Sequence, residues 1–173
     1  MTRMRVEPTF VIALGSNLGD REGTIRAAVA QIDAIPGVKV LRASGLVESA
    51  ALTTHGVDEA QPAYLNAVIS IRTAMDPERL LSELETIENA NGRVRGERWG
   101  NRTLDIDIVA MGAFRRSSDR LTIPHPRAAQ RAFVLAPWLE IEPDAAIPRL
   151  GRVDALLART TDTVRPFDAE PLL

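Results

Sequence analysis

A chain of 173 residues, 45% of them hydrophobic and 25% charged, is typical of one globular domain that is large enough to bury a full core. A formal net charge of −2 and only 4% aromatic residues argue against nucleic acid as the main partner. The absence of cysteine excludes disulfides, thiolate catalysis and cysteine-ligated metal sites. Lys39 is the only lysine among the 21 basic residues, so the Gly-Lys-Ser/Thr of a P-loop nucleotide site is missing.

The whole chain, 1–173, is expected to form a single domain with a core over about 9–160 and a loose tail over about 166–173. No apolar run approaches the roughly 18 residues of a membrane span. No apolar segment of the signal-peptide type follows Arg3 and Arg5. We therefore expect a cytoplasmic protein.

The first half of the chain predicts strands on either side of one amphipathic helix. The helix covers about 21–35, where apolar residues recur at helical spacing after Asn17 or Asp20 as N-cap and before Pro36. Residues 48–63 lack a clear period and are expected to form a long connection or loop. The strands are predicted at residues 10–14, about 38–47 and 64–71.

The second half of the chain predicts a second helix and the strand that follows it. The helix begins with Asp76 as N-cap and Pro77 at its first position, carries one apolar face, and ends before Gly92. The order β-α-β-β-α-β indicates an α+β fold of the ferredoxin-like type, with both helices on one face of an antiparallel-rich sheet. The other predicted elements are a strand at 103–110, a short strand at 121–123 joined to it by a turn around 115–119, a helix over about 127–139 interrupted by Pro137, and a short helix at 153–159.

Two carboxylates alternate with apolar residues along the predicted fourth strand. Because side chains alternate between the two faces of a strand, Leu104, Ile106 and Ile108 are expected on one face. Asp105 and Asp107 are then expected on the other face, roughly 7 Å apart. Such a pair can hold one or two magnesium ions whose remaining ligands are water and phosphate oxygens. The alternative is simple polar alternation on a solvated strand face.

A basic segment stands directly before this strand. Its four arginines and Glu97 give a local charge of +3 (4 − 1) in a chain whose net charge is −2. Guanidinium groups beside a metal-binding carboxylate pair favour a polyphosphate ligand, and glycines within the segment would let it close over that ligand. A solvated loop is the alternative. The residues concerned are Arg93, Arg95, Arg98 and Arg102, with Gly92, Gly96 and Gly100.

Several short motifs occur in one order over residues 10–144. They are Ala13-Leu14-Gly15-Ser16-Asn17-Leu18-Gly19-Asp20, Tyr64-Leu65-Asn66-Ala67, Gly92-Arg93-Val94-Arg95, Glu97-Arg98-Trp99-Gly100, Arg102-Thr103-Leu104-Asp105-Ile106-Asp107, Pro124-His125-Pro126 and Arg131-Ala132-Phe133. Together they resemble the 6-hydroxymethyl-7,8-dihydropterin pyrophosphokinase family of the folate pathway. The resemblance implies transfer of an intact pyrophosphoryl group from ATP to the pterin hydroxymethyl oxygen with release of AMP, on a three-layer α-β-α version of the ferredoxin-like plan.

The resemblance also implies roles for individual residues. Asp105 and Asp107 would hold two magnesium ions, with ATP as co-substrate, and Arg93 and Arg102 would act on the triphosphate during catalysis. The other nucleotide-binding positions would be Glu88, Arg95, Arg98, Trp99, Arg120 and His125. The pterin-binding positions would be Leu52, Tyr64, Asn66 and Phe133. We expect a monomer that acts on these small molecules, with no nucleic-acid or membrane partner.

Some of these positions would also suit a structural role, and the chain departs from the family in places. His125 would suit a structural turn, Tyr64 and Phe133 would suit the core, and Glu88 would face either solvent or the nucleotide. Many members carry a Thr-Pro pair before the third strand, where this chain has Ser49-Ala50-Ala51-Leu52.

The competing functions are a ferredoxin-like small-molecule sensor or RNA-binding module, and a two-metal nuclease that uses Asp105 and Asp107. An RNA-binding module would carry stacking aromatics on adjacent central strands, and the predicted fourth strand has none. A nuclease would recruit further carboxylate or histidine ligands, and the sequence offers no obvious one nearby.

Overall fold

The computed structural model describes residues 6–53, 56–58, 62–91 and 104–173, with side chains described outside 51–53 and 56–58. Within these ranges one sheet has six strands: β1 (Thr9–Ser16), β2 (Val38–Ala43), β3 (Leu46–Ser49), β6 (Tyr64–Thr73), β7 (Asp105–Ala110) and β12 (Val164–Phe167). They run in the order β12-β3-β6-β1-β7, with β2 pairing along the rest of β6. Every pairing in this sheet is antiparallel.

Helices cover both faces of this sheet. The larger core cluster joins α1 and α2 to one face, and the smaller cluster joins α3 and α4 to the other, which produces the three-layer α-β-α arrangement. The helices are α1 (Arg21–Asp33), α2 (Pro77–Ala90), α3 (Ala132–Ile141) and α4 (Val153–Leu157). Three small hairpins complete the described elements: β4 (Ala51–Thr53) with β5 (Gly56–Asp58), β8 (Arg116–Ser117) with β9 (Thr122–Ile123), and β10 (Ala146–Ile147) with β11 (Gly151–Arg152).

The two helices of the ferredoxin-like core begin where their capping residues predict. The Asp20 carboxylate accepts a hydrogen bond from the Gly23 amide at 3.0 Å, and Asp76 accepts one from the Glu78 amide at 3.1 Å. Pro77 occupies the first turn of α2, where a missing N–H costs nothing. Both predicted caps, and the βαββαβ order built on them, are confirmed.

The predicted single strand over 38–47 is wrong, because it breaks at Ser44 into β2 and β3. The Ser44 amide donates to the Val68 carbonyl, and its buried hydroxyl accepts from the Val68 amide, both at 2.9 Å. This side-chain contact replaces regular pairing at that point and lets β3 continue along β6 in a new register. The connection over 48–63 also contains the β4–β5 hairpin rather than loop alone.

Two predictions between β7 and α3 need correction. The short strand near 121–123 pairs with Arg116–Ser117 as a separate hairpin, so residues 115–119 are more than a turn joining it to β7. The helix predicted from 127 starts only at Ala132, after a 3-10 turn, and it continues through Pro137 to Ile141. The burial of Trp138 and Ile141 offsets the backbone hydrogen bond that Pro137 removes.

The predicted loose tail is wrong over much of its length. Residues Val164–Phe167 form β12 and pair with β3, while Phe167, Ala169 and Leu172 pack against the larger core. Arg26 donates to the Pro171 carbonyl at 2.9 Å and also to the Glu170 carbonyl. Of the helices in the described ranges, none combines the length with the apolar composition of a membrane span.

Candidate active site

A cavity of about 500 Å³ opens where β1 and β3 end and β6 and β7 begin. Its floor is organised by Gly15, which is the cross-strand partner of Asn66 on one side and of Asp105 on the other. Cross-strand partners project to the same face of a sheet. The Asn66 amide and the Asp105 carboxylate therefore flank Gly15 on one face, and Gly15 has no side chain to fill the space between them. Two strand spacings, about 10 Å, separate their backbones.

The acid pair occupies the β7 side of this cavity. Asp105 and Asp107 are half-buried and line the cavity, while Ile106 and Ile108 between and after them are buried in the larger core. The predicted separation of carboxylates and apolar side chains onto opposite strand faces is therefore confirmed. Asp107 pairs across the sheet with Ala13, so small residues of β1 stand beside both acids. Their oxygens suit a hard cation.

Glu88 is buried within α2, with only 3% of its surface exposed, and it lines the cavity. Its Oε2 accepts a hydrogen bond from the backbone amide of Ile106 at 3.0 Å. That amide lies between the two aspartates, so Glu88 fixes the strand that carries them to the helix behind it. The solvent-facing alternative for Glu88 is wrong.

Arg131, at the start of α3, supplies positive charge opposite the acids. Burial lowers the pKa of its guanidinium, and the charges of Asp107 and Asp105 counteract that shift. The guanidinium carbon lies 5.5 Å from the centroid of the Phe133 ring, which is a cation–π contact. Arg131 was part of a sequence motif but was not among the predicted site residues.

His125 lines the cavity from the turn before α3 and is neutral at pH 7. Burial, followed by the charge of Arg131, lowers its pKa to about 4, although Asp105 acts in the opposite direction. The Arg127 amide donates to Nδ1 at 3.2 Å, so the single ring proton is on Nε2. The His125 amide also donates to the Val109 carbonyl at 2.8 Å. The residue is therefore both a turn residue and a cavity residue.

The opposite wall is built around the buried amide of Asn66. Its Nδ2 donates to the Ser49 hydroxyl at 2.8 Å, and to the carbonyls of Val47 at 3.3 Å and Tyr64 at 3.4 Å. Its Oδ1 points towards Gly15, where a Cβ atom would come within 3.3 Å of it. The amide orientation is thus set by the protein, and the position of Gly15 leaves room for Oδ1.

Two aromatic side chains take part in the cavity lining. Tyr64 and Phe133 are both partly exposed there, so the core-aromatic alternative is wrong for Tyr64. Phe133 also packs against the smaller core cluster, so it is both a cavity residue and a core residue. Ser49, Glu85 and Arg127 also line the cavity, and the site prediction missed all three. Ser49 had a sequence signal, because it stands in the segment that departs from the family.

The remaining predicted site residues lie elsewhere. Arg120 is outside the cavity lining, but it forms a 3.3 Å ion pair with Glu85, which is inside it. The backbone of Leu52 belongs to β4, and its side chain is among those that the structure does not describe. Five predicted nucleotide-binding residues lie outside the described residues: Arg93, Arg95, Arg98, Trp99 and Arg102.

Comparison with known protein families identifies the family of this chain. The model of the 7,8-dihydro-6-hydroxymethylpterin-pyrophosphokinase (HPPK) family matches residues 11–143. The chain belongs to this family. That range contains every cavity-lining residue, so HPPK membership and the site concern the same part of the molecule.

Individual relatives agree with the HPPK assignment. A 2-amino-4-hydroxy-6-hydroxymethyldihydropteridine pyrophosphokinase of Haemophilus influenzae is 39% identical over 89% of this chain and 94% of its own length. One of the same name from Synechocystis is 36% identical over 93% of this chain and 80% of its own. The folic acid synthesis protein fol1 of Pneumocystis carinii is 40% identical over 94% of this chain, which spans only 21% of that longer protein.

Solved structures confirm the fold. The Plasmodium falciparum HPPK-DHPS wild type with pteroate superposes with a TM-score of 0.67 at 13% identity. The match covers 92% of this chain and 43% of that chain, so this chain spans less than half of the longer protein. The HPPK-DHPS in complex with substrates superposes with a TM-score of 0.68 at 12% identity.

Proposed function

We propose that the chain transfers pyrophosphate from ATP to the hydroxymethyl group of 6-hydroxymethyl-7,8-dihydropterin, giving the pterin diphosphate and AMP for folate synthesis. The observation that carries the proposal is the row Asn66–Gly15–Asp105, which sets a hydrogen-bonding amide and a carboxylate about two strand spacings apart in one cavity. A flat heterocycle and a polyphosphate would lie side by side there. Family membership and the names of the relatives support the same reaction.

In the proposed reaction the hydroxymethyl oxygen attacks the β-phosphorus of ATP. The bond from that phosphorus to the oxygen bridging the α-phosphate breaks, AMP leaves with the electron pair, and the hydroxyl proton passes to solvent. The transferred group is already anionic, so the protein has to position the reactants and neutralise charge more than supply covalent chemistry.

Asp105 and Asp107 are the residues that would hold magnesium. Two half-buried carboxylates on one strand face fit a hard cation that takes its other ligands from phosphate and water. Apart from this pair, the described residues contain no larger group, of three or more His, Cys, Asp or Glu side chains, that could hold a metal ion. Bound magnesium, in our proposal two ions, supplies charge neutralisation and a lower pKa for the attacking hydroxyl.

The cationic residues would bind the phosphates. Arg131 lies beside both aspartates and offers guanidinium donors to phosphate oxygens. Neutral His125 offers one donor from Nε2 without adding charge. Arg93 and Arg102 are proposed to act on the triphosphate during transfer.

The other wall would bind the pterin. Tyr64 and Phe133 present partly exposed rings for stacking. Because Nδ2 of Asn66 already donates within the protein, the amide would use Oδ1 to accept an N–H of the heterocycle. We propose that the chain acts as a monomer on these small molecules, without a nucleic-acid or membrane partner.

The test is an incubation of the protein with ATP, magnesium and the hydroxymethyl-dihydropterin, followed by separation of nucleotides and pterins. We expect AMP and pterin diphosphate in equal amounts, and neither when EDTA replaces magnesium. Formation of ADP would indicate a single phosphoryl transfer and would contradict the proposal. Cleavage of a single-stranded oligonucleotide without AMP formation would favour the nuclease instead.

A further inference from the structure

Arg21, at the start of α1, holds together both ends of the connection between β3 and β6. Its Nη1 donates to Glu48 Oε2 at 3.0 Å, just before the connection, and to the Ala63 carbonyl at 2.9 Å, at its far end. Asn17 Nδ2 adds a 3.1 Å hydrogen bond to the Pro62 carbonyl. We call the contacts of Arg21 with Glu48 and Ala63 the Arg21 staple.

The C-terminal strand supports this staple from the outside. Arg165 on β12 is the cross-strand partner of Glu48, and its guanidinium lies 2.8 Å from Glu48 Oε1. The Phe167 ring lies under Arg21, with 5.8 Å between the guanidinium carbon and the ring centroid. Glu48 therefore binds one arginine with each oxygen, and its side chain is only 21% exposed.

The staple adjoins the wall proposed for the pterin. Glu48 stands between Val47 and Ser49, whose carbonyl and hydroxyl orient the Asn66 amide. Ala63 directly precedes Tyr64 in the chain. The acid pair is on β7, which two strands, β6 and β1, separate from β3.

We infer that Arg21 is a positioning residue for the pterin, acting through Glu48 and the C-terminal strand on the orientation of Ser49, Tyr64 and Asn66. The inference rests on the proposed function, because it assumes that this wall binds the pterin. Without the staple, only the strand pairing itself holds Ser49 opposite Tyr64, so the end of the β3–β6 pair loosens and the amide loses part of its orientation. The effect falls on the pterin and leaves the ATP side unchanged.

The experiment compares steady-state kinetics, with each substrate varied in turn, for Arg21→Ala, Arg21→Lys, Arg165→Ala and a control. For Arg21→Ala we expect the KM of the pterin to rise about fivefold, which corresponds to losing a partly buried ion pair and a hydrogen bond. The KM of ATP should stay within about twofold, since the ATP side does not involve this wall, and kcat should change less than the pterin KM because the phosphate-binding groups stay in place. Arg21→Lys should show a smaller rise, because lysine keeps a positive charge beside the Glu48 carboxylate. Arg165→Ala should raise the pterin KM about twofold.

The control is Arg152→Ala, because Arg152 binds only Asp144 and Asp154 in the described ion pairs, away from the cavity. It should change none of the three constants. Equal rises in both KM values, or an unchanged pterin KM in folded Arg21→Ala, would overturn the inference. If Arg21→Ala does not fold, Arg165→Ala decides, since the Arg165 side chain is 72% exposed and its loss leaves the core intact.

A second measurement separates this inference from the proposed function. Titration of each variant with the pterin alone, followed by pterin fluorescence, gives dissociation constants that need no turnover. Wild-type protein that binds the pterin without forming AMP would contradict the proposed function. The inference about the Arg21 staple would then be decided by these dissociation constants alone. Equal pterin affinity of wild type and Arg21→Ala would overturn the staple even if AMP is formed.

Discussion

The two walls of the cavity are held in different ways. On the β7 wall, Asp105, Asp107 and Arg131 are charged groups that remain partly exposed, and Arg131 offsets part of the negative charge of the two aspartates. On the β6 wall, the neutral amide of Asn66 is 4% exposed and its donor is already bonded to Ser49. The first arrangement suits charge that develops during a reaction, and the second suits recognition of a fixed shape.

Both walls depend on contacts to the backbone rather than on side-chain packing alone. Glu88 binds the Ile106 amide on the β7 wall, and the His125 amide binds the Val109 carbonyl beside it. On the β6 wall, the backbone carbonyls of Val47 and Ala63 take part. Substitutions that release these contacts should therefore affect one wall at a time.

The largest expected effect concerns the acid pair. Asp105→Ala or Asp107→Ala should lower kcat about a thousandfold or more, because the magnesium proposed to bind there would lose a protein ligand. Thermal unfolding should show that the fold remains, and AMP release gives the rate. Asp144→Ala, which removes a carboxylate with a 95% exposed side chain, is the control and should be fully active. A folded Asp105→Ala variant within tenfold of wild type would contradict the assignment.

The matching substitution on the other wall is Asn66→Ala. It removes the Oδ1 acceptor, so the dissociation constant of the pterin should rise about tenfold to a hundredfold while ATP binding is unchanged. Ser49→Ala removes only the hydroxyl that orients the amide and should produce a smaller rise of the same kind. Titration calorimetry with each substrate would measure the pterin and ATP dissociation constants of both variants. A matching loss of ATP affinity would contradict the assignment of the two substrates to separate walls.

Glu88→Ala tests how the β7 wall is supported. Leaving the Ile106 amide without its acceptor should lower the free energy of unfolding by about 1–3 kcal/mol. Glu88→Gln keeps an acceptor oxygen and should cost less, and Glu83→Ala on the same helix should cost least. Urea unfolding gives these values. Equal stability of the Ala and Gln variants would mean that the hydrogen bond contributes nothing.

A weaker effect is expected at the start of α3, which carries Arg131 and Phe133. Asp162 caps this helix from a distant part of the chain, accepting the Ala132 amide at 2.9 and 3.1 Å. Asp162→Ala should lower the free energy of unfolding by about 1 kcal/mol, and Asp162→Asn by less. A melting temperature that falls equally in both variants would point to the charge of Asp162 rather than to capping.

The smallest expected effect is the contribution of His125 to the pH dependence of stability. This contribution should be negligible at neutral pH and should appear only in acid. The pKa of His125 falls from an unfolded value of 6.5 to about 4 in the folded protein. Between these values the unfolded chain binds more protons, so stability falls as the pH decreases from 6.5 towards 4. His125→Asn should flatten that part of the curve, as measured by melting temperature against pH. Parallel curves for the two proteins would show that His125 is not the group responsible.

Sequence patterns predicted the elements whose signals lie within a few residues. The alternation at 104–108, the caps Asp20 and Asp76 and the helical spacing of α1 and α2 were all correct. The errors fall where a distant partner decides the structure. Ser44 breaks a strand because it meets Val68, and residues 164–167 form a strand because Leu46–Ser49 lie beside them.

The sequence by itself determined the order of the core elements, the face of β7 on which the aspartates stand, and the family. These depend on local periodicity and on short motifs, which neighbouring residues encode. Only the tertiary structure decided that Gly15 separates Asn66 from Asp105, that Arg131 faces the acids, and that the C-terminal strand supports β3. Strand neighbours, burial and the pKa shifts that follow from them arise from contacts between residues far apart in the chain, and local patterns do not specify such contacts.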